Sequence, residues 1–257
     1  MGKDLIRQFV NVVAVVLVLV VNGLANALPI NGQQTGAISD RFPVFFVPAG
    51  YVFSIWGLIY LGLIAFTIYQ ALPAQRENAR LRRVGYWFAL SCLANATWIF
   101  LWHYNLFPLS LVVMLVILAA LVIVYLRLGI GQAAAGGRVS SAEKWVVNAP
   151  FSVYLGWITV ATVANVTSVL YDLKWGGWGI GPEAWAALMI AAATLICLGV
   201  IITRRDIGYS LVLVWAFAGI AVKQMERAQL VGVAAVVMAV VIVVALVLTR
   251  RPAGRTV

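Results

Sequence analysis

The sequence predicts an all-α fold, a polytopic membrane helix bundle of about eight transmembrane helices. Composition is the first reason: 64% of the 257 residues are apolar, and only 18 are basic and 8 acidic, whereas soluble domains are about 45–50% apolar and about 25% charged. The second reason is that the apolar residues form long uncharged windows, and the third is that basic residues lie singly or in pairs between those windows. Such a chain has too little polar surface to fold in water.

Eight apolar windows follow one another along the chain, at residues 7–28, 48–72, 84–102, 107–126, 145–171, 183–203, 207–222 and 230–249. Between the ends of each window there is no Asp, Glu, Lys or Arg. Each window has about the 20 residues that an α-helix needs to cross a bilayer. The seventh is the shortest, and we expect it to borrow flanking residues or to pack deep inside the bundle. The windows predict eight spans and leave no room for a soluble domain.

The basic residues predict the orientation of the spans, because Lys and Arg are retained in the cytoplasm during insertion. With eight crossings, one side of the membrane holds 14 of them: Lys3, Arg7, Arg76, Arg80, Arg82, Arg83, Arg127, Arg138, Lys144, Arg204, Arg205, Arg250, Arg251 and Arg255. The other side holds Arg41, Lys174, Lys223 and Arg227. We therefore expect a multi-pass integral protein of the plasma (inner) membrane with both termini in the cytoplasm.

The first window has an alternative interpretation as a cleavable signal peptide. Lys3 and Arg7 precede the apolar stretch, and the run Ala25-Asn26-Ala27 resembles a cleavage site. Continued through Leu28, however, the stretch is long enough to cross a bilayer. We treat it as a span and keep cleavage as the alternative.

The uncharged spans exclude several classes of function. Ionisable groups inside spans mark proton relays, ion pathways and voltage sensors, so a pump or an ion-coupled carrier is not expected. The dispersed basic residues do not form a patch for nucleic acid. Cys92 and Cys197 lie in separate windows and are expected to be buried free thiols rather than metal ligands. The single histidine, His103, stands at the end of the third span and is expected to be an interfacial side chain.

Aromatic and amide side chains remain as the candidates for chemistry. They recur at helical spacing, so several share one face of each span. The stripes are Phe53, Trp56 and Tyr60 in the second span, Asn95, Trp98 and Trp102 in the third, Tyr154, Trp157, Ala161 and Asn165 in the fifth, and Asn22 and Asn26 in the first. Trp56, Trp98 and Trp157 lie at related depths. They predict a shared pocket in the outer half of the bilayer for a large, flat, mostly apolar ligand.

A purely structural interpretation of these residues stays open. Tryptophan is enriched at membrane interfaces, and six tryptophans lie near span ends or in a loop: Trp87, Trp102, Trp145, Trp175, Trp178 and Trp185. Asparagines also join helices, and small residues beside them let backbones approach. A stripe by itself therefore does not establish a binding site.

At these residues the sequence resembles the TspO/MBR family, the tryptophan-rich sensory proteins related to the mitochondrial translocator protein or peripheral benzodiazepine receptor. Residues 47–60, Val-Pro-Ala-Gly-Tyr-Val-Phe-Ser-Ile-Trp-Gly-Leu-Ile-Tyr, resemble the family's Pro-Pro-x-Trp-Val-Phe-x-x-Val-Trp-x-x-Leu-Tyr signature. Residues 93–98 are similar to its Leu-Asn-x-x-Trp stretch, and Trp157, Ala161 and Asn165 fit its Trp-x-x-x-Ala-x-x-x-Asn pattern. The resemblance covers residues 5–172, about the length of a whole five-helix member.

The resemblance implies a pocket among five helices that binds tetrapyrroles and other flat hydrophobic ligands. Carried over position by position, this pocket includes Trp56, Tyr60, Asn95, Trp98, Trp157 and Ala161, and spacing alone adds Phe53, Asn22 and Asn26. Some family residues are absent. Val47 replaces the first proline of the signature, and the Pro-Tyr pair that the family has just before its fifth-helix tryptophan is missing, with Pro150 seven residues ahead of Trp157. A Trp-Tyr pair is also missing from residues 33–46. These departures weaken the prediction of the ligand's identity most.

The resemblance divides the chain into a TspO/MBR-like five-helix transmembrane domain, residues 1–172, and an additional three-helix transmembrane module, residues 173–257. The leading hypothesis is a sensory or translocator-like protein that binds a porphyrin, a haem-type tetrapyrrole or a similar ligand for sensing, regulation or transport. It requires no cofactor for catalysis. One alternative is a membrane enzyme that transforms bound porphyrin, although the spans offer no convincing general acid or base. Another is a structural subunit of a larger membrane complex.

The expected partners follow from the same hypothesis. They are membrane lipid, a hydrophobic small molecule, and either a second copy of the chain or another protein of a membrane complex. Nucleic acid is not among them, because the basic residues serve orientation.

Overall fold

The structure is a computed structural model that describes residues 2–132 and 139–250. Its regular structure is helical, and eight long helices follow the chain: α1 Lys3–Ala27, α2 Ile55–Ala71, α3 Trp87–His103, α4 Phe107–Leu128, α5 Ala149–Asp172, α6 Pro182–Arg204, α7 Ile207–Gln224 and α8 Gln229–Arg250. A 3₁₀ turn, Gly50–Ser54, leads into α2, and a π-helical turn, Lys144–Asn148, leads into α5. The connections before α2 and α3 contain the short helices Thr35–Asp40 and Ala79–Val84. The predicted all-α polytopic bundle is confirmed.

Every apolar window of the sequence coincides with one of the eight helices, to within several residues at each end. Within the described ranges, seven helical segments are long and apolar enough to cross a membrane, by length and composition. The exception is α3, whose 17 residues extend about 26 Å at 1.5 Å per residue, against about 30 Å of hydrocarbon. The helix α2 is as short, but together with the turn before it forms a segment of 22 residues, Gly50–Ala71. The short seventh window does gain residues from its flank, because α7 continues to Gln224.

Prolines and glycines set several helix boundaries. Pro108, Pro150 and Pro182 each occupy one of the first two positions of a helix, where a missing N–H costs nothing and the fixed φ is already helical. At the other end of α4, Gly129 has a φ of 62° and ends the helix in the left-handed conformation. This conformation carries no steric penalty for glycine.

The first five helices pack as a closed ring. In that ring α1 contacts α2 and α3, α4 contacts α3 and α5, and α5 returns to α2. The most buried member is α5, whose Tyr154, Trp157 and Ile158 are at most 2% exposed. The first helix forms one of the five walls, so the ring would be incomplete if cleavage removed that segment.

The last three helices pack against one another and join the ring through α7. Along this contact, a Cβ on Gly156 of α5 would lie 2.9 Å from the carbonyl oxygen of Tyr209 in α7, so only glycine permits the approach of the two backbones. The Tyr209 hydroxyl lies 3.1 Å from Thr159 Oγ1 of α5. One hydrophobic core runs through both groups of helices. The boundary predicted between residues 172 and 173 stays a prediction.

A buried carboxylate fixes the start of α7 to the ring. Asp206 is 7% exposed, and its Oδ2 accepts hydrogen bonds from the hydroxyls of Tyr125 at 2.8 Å and Ser152 at 2.6 Å. Its Oδ1 accepts from the backbone N–H of Tyr209 at 3.1 Å and caps α7. The windows omitted this residue because it lies between two spans, yet it links α4, α5 and α7.

The charged side chains collect at the two ends of the bundle. Of the 14 basic residues assigned to one side, ten have described side chains, and their positions in the helices place them at one end. Arg138, Arg251 and Arg255 lie outside the described residues. Arg7 is buried at this end, where its guanidinium donates to the carbonyl oxygens of Leu81 and Arg76 at 3.3 and 3.1 Å. The assignment of this end to the cytoplasm stays a prediction.

Candidate functional site

A small cavity opens at the end of the ring where α2 begins and α3 and α5 end. Its volume is about 60 Å³. The lining residues come from α3, α4, α5, the segment that leads into α2 and the short helix Thr35–Asp40. They are Thr35, Ser39, Pro48, Phe53, Trp98, Trp102, Met114, Trp157, Val160, Ala161, Ala164, Asn165 and Ser168. None of these side chains is ionisable. We call this site the aromatic cavity.

Three indoles and a phenyl ring form most of its walls. Trp98 and Trp102 are one helical turn apart on α3, and their rings stack with centroids 5.2 Å apart and planes 18° apart. Phe53 meets the Trp157 ring edge-on, with the ring centroids 5.6 Å apart. Such faces and edges suit a flat apolar ligand, because stacked and edge-on contacts are the geometries that aromatic rings prefer.

The polar groups of the cavity are uncharged. Trp98 Nε1 donates a hydrogen bond to Asn165 Oδ1 at 3.1 Å, and Asn165 Nδ2 donates to Ser110 Oγ at 3.2 Å. Trp157 is 2% exposed, and its Nε1 has no hydrogen-bond partner among the described residues. A buried indole N–H without an acceptor is costly. It is therefore a donor that a ligand can satisfy.

Four of the nine predicted site residues line the cavity: Phe53, Trp98, Trp157 and Ala161. Trp56 and Tyr60 stand behind them. Trp56 stacks on Tyr60 with centroids 5.4 Å apart and meets Trp157 edge-on at 6.2 Å. These two residues therefore support the wall and do not form its surface.

The three predicted asparagines do not line the cavity. Asn22 Nδ2 donates to Asn95 Oδ1 at 2.9 Å, and Asn95 Nδ2 donates to the Tyr154 hydroxyl at 3.1 Å. This chain of bonds joins α1, α3 and α5, which is the helix-joining role that the sequence left open. Asn26 is exposed and donates to the carbonyl oxygen of Asn22 in its own helix.

Trp102 and His103, which the sequence predicted to be interfacial side chains, are buried inside the protein. Trp102 is only 4% exposed, and its Nε1 donates to the carbonyl oxygen of Thr35 at 3.2 Å. His103 is fully buried, with Nδ1 2.7 Å from the carbonyl oxygen of Ile99 and Nε2 3.3 Å from Thr35 Oγ1. Both side chains are covered by protein because the connection between α1 and α2 folds over the end of α3.

That connection forms one side of the cavity. The amide side chains of Asn31 and Gln33 both donate to the carbonyl oxygen of His103, at 2.9 and 3.0 Å. Thr35 and Ser39 then reach the cavity lining. No periodicity of the sequence marked these loop residues, whereas the position of Trp102 four residues after Trp98 did place it on the same helix face.

The cavity is smaller than the ligand class that its lining suits. Pockets for drug-sized ligands measure about 300–1,000 Å³, several times the 60 Å³ of the aromatic cavity. Binding of a flat polycyclic molecule therefore requires the lining to move apart. Of the segments that line the cavity, the connection between α1 and α2 lies outside the long helices, so it is the segment we expect to move.

Metal chemistry has little support in the described part of the chain. No group of three or more His, Cys, Asp or Glu side chains there is arranged to hold a metal ion. Cys92 and Cys197 are both buried and free. Among the lining residues, only the thioether of Met114 is of the kind that binds haem iron.

Comparison with known proteins gives one match. A family model described as TSPO-like protein matches residues 8–248. No curated protein and no solved structure matches the chain. The matched range includes the last three helices almost completely, so it extends well beyond the residues 5–172 in which the sequence motifs lie.

Proposed function

The chain belongs to the TSPO-like family as a multi-pass helical membrane protein, and from that premise we propose that it binds a flat, mostly apolar ligand of the porphyrin class in the aromatic cavity. One observation carries the proposal: Phe53 from the turn before α2, Trp98 from α3 and Trp157 from α5 converge on a cavity whose lining has no ionisable side chain. Residues far apart in the sequence thereby present several π-faces to one site.

The polar groups of the cavity add orientation to this apolar contact. The free Nε1–H of Trp157 donates to an acceptor atom of the ligand, such as a carboxylate or carbonyl oxygen. Asn165 and Ser168 supply further uncharged polar atoms in the lining. Few polar groups in an apolar pocket are the usual means of fixing a ligand's orientation.

Binding requires the closed cavity to open. The connection between α1 and α2 moves outward in this proposal, because its Thr35, Ser39 and Pro48 cover the site without belonging to a long helix. Its contacts with the end of α3 are hydrogen bonds to His103 and Trp102 together with the packing of Ile38 and Phe42 in one buried cluster with Trp102. Bonds of this kind contribute about 0.5–1.5 kcal/mol each, an energy that favourable ligand contacts can offset.

The lining favours binding over catalysis of acid–base type. It contains no His, Asp, Glu or Lys that would transfer a proton. We therefore assign the protein to sensing, regulation or transport of the ligand. We place it in the plasma (inner) membrane with both termini in the cytoplasm, as its basic residues predict.

Titration of the purified full chain in lipid nanodiscs with protoporphyrin tests the proposal, with tryptophan quenching as the readout. The double variant Trp98→Ala, Trp157→Ala removes two π-faces. We expect its affinity to fall at least about tenfold, because each aromatic contact is worth about 0.5–1.5 kcal/mol beyond the buried area. The matched control is Trp145→Ala, Trp178→Ala, since these side chains are 77% and 81% exposed. Equal affinity of the cavity variant and the wild type would overturn the proposal.

A further inference from the structure

The C-terminal half of α7 is bonded to residues 45–52, the segment that leads into α2. Trp215 Nε1 donates to the carbonyl oxygen of Val52 at 3.1 Å, and Gln224 Nε2 donates to that of Phe45 at 3.1 Å. Between these two bonds, the backbone N–H of Ala49 donates to the carbonyl oxygen of Gly219 at 3.1 Å. Three hydrogen bonds thus attach the segment to α7.

Packing around Gly219 makes this attachment close. A Cβ at this position would lie 2.1 Å from Val52 Cγ2 and 3.2 Å from Pro48 Cβ, so only glycine allows the segment to lie against the helix. The Tyr51 ring meets the Trp215 ring edge-on at 5.4 Å. Hydrogen bonds and close packing therefore both hold residues 45–52 against α7.

The attached segment is part of the cavity wall. Pro48 lines the aromatic cavity directly, and so does Phe53, which follows Val52. The lid helix Thr35–Asp40 is connected to α7 as well, because Lys223 Nζ lies 3.2 Å from Asp40 Oδ1. None of the α7 residues named here lines the cavity itself.

The other half of α7 is fixed to the ring. Asp206 binds the hydroxyls of Ser152 and Tyr125, and Tyr209 contacts Thr159 of α5. Because α5 carries the lining residue Trp157, α7 links two parts of the cavity lining, α5 and the segment that contains Pro48. A displacement of residues 45–52 away from α7 must therefore break the three hydrogen bonds to a helix that is itself bonded to α5.

We infer that α7 holds the aromatic cavity closed by clamping residues 45–52, so that the C-terminal helices control the entry of the ligand. The inference rests on the proposed function, since it names the regulation of the same site. In this arrangement α7 is a positioning element that does not touch the ligand. Weakening the clamp changes how often the wall opens and leaves the π-faces in place.

Hydrogen–deuterium exchange of the full chain in nanodiscs tests the clamp without any ligand. The Trp215→Phe variant keeps the ring contact but loses the bond to Val52, and Gly219→Ala pushes the segment away from the helix. We expect both to raise exchange in residues 45–53 by about three- to tenfold, the factor that corresponds to the loss of one hydrogen bond. Gly199→Ala is the matched control, because a Cβ there meets nothing within 4 Å.

Stopped-flow mixing with protoporphyrin tests the consequence for binding. We expect the clamp variants to bind about three- to tenfold faster than the wild type, while the Gly199→Ala variant binds at the wild-type rate. Unchanged exchange in both folded clamp variants overturns the inference. Raised exchange together with no porphyrin binding by the wild type supports the clamp and overturns the proposed function instead. Gln224→Met, which removes the bond to Phe45, replaces Gly219→Ala if the latter fails to fold.

Discussion

Trp98 and Asn165 are joined by a hydrogen bond of 3.1 Å from the indole Nε1 to the amide Oδ1. The bond connects α3 with α5 at the lining of the aromatic cavity, and Asn165 continues the connection to Ser110 of α4. One amide thus orients an indole of the site and joins three helices. Asn165 therefore both stabilises the bundle and orients a residue of the proposed binding site.

Replacing Asn165 tests its contribution to the bundle. In Asn165→Leu the indole N–H of Trp98 loses its acceptor, and we expect a destabilisation of about 1 kcal/mol, typical of hydrogen bonds between membrane helices. Unfolding in mixed micelles measures it. The comparison variant is Asn26→Leu, whose side chain is exposed and bonds only to its own helix. Equal stability of the two variants would contradict the assigned role.

Asp206 is expected to be the most sensitive polar position outside the cavity. Asp206→Ala removes the acceptor of the Tyr125 and Ser152 hydroxyls together with the cap of α7, and should cost about 3 kcal/mol. Asp206→Asn keeps an oxygen for the cap and should cost about 1 kcal/mol. Unfolding free energies in micelles measure both. The exposed Asp172 supplies the control variant Asp172→Asn, for which no loss is expected.

Two glycines should respond to the same substitution with opposite signs. Gly156→Ala places a Cβ 2.9 Å from the Tyr209 carbonyl oxygen, and such overpacking between α5 and α7 should cost about 1–3 kcal/mol. Gly57→Ala has open space around its Cβ and should stabilise α2 by about 0.5–1 kcal/mol. Thermal unfolding in detergent distinguishes them. If Gly156→Ala is neutral, the close packing of α7 on α5 is wrong.

Met114 separates haem from metal-free porphyrin as ligands. If the Met114 thioether binds the iron of haem, Met114→Leu should shift the Soret band of the haem complex. It should also weaken the binding of haem, because the thioether ligand is lost. Affinity for metal-free protoporphyrin should change less than about threefold, since the two side chains are similar in volume. An unchanged haem spectrum would exclude the thioether as the iron ligand.

The hydroxyl of Thr35 is expected to hold the lid helix to α3. Thr35→Val removes its contact with His103 Nε2 and should raise hydrogen exchange in residues 31–41 about two- to fivefold, the effect of one weak hydrogen bond. Thr97→Val is the control, since that exposed hydroxyl bonds only to the carbonyl oxygen of Leu93 in its own helix. A rise of the same size in both variants would refute a specific role for Thr35.

The helices were predictable because their signal is local. A window of about 20 apolar residues must become a helix in lipid, where every backbone N–H and C=O needs an internal partner. The spacing of Phe53, Trp98 and Trp157 also placed each on a definite helix face. These three residues do meet at one cavity.

The rest of the site depends on contacts that no local pattern encodes. Asn95 lies three residues before Trp98, and this spacing predicted that it would line the pocket. It instead bonds to Asn22 and Tyr154, because α1 and α5 pack around it. Trp102 was assigned to the membrane interface from its position at a span end. The fold of the preceding connection buries it instead.

By itself the sequence determined that this protein is a multi-pass membrane bundle and supplied the aromatic residues that its cavity uses, because hydropathy and helical periodicity act within one segment. Only the tertiary structure decided which of those residues share the cavity, how loop residues such as Thr35 and Ser39 cover it, and how α7 is bonded to its wall. Those features arise from packing and hydrogen bonds between segments far apart in the chain. The contact between Trp215 and Val52, 163 residues apart, is one of them.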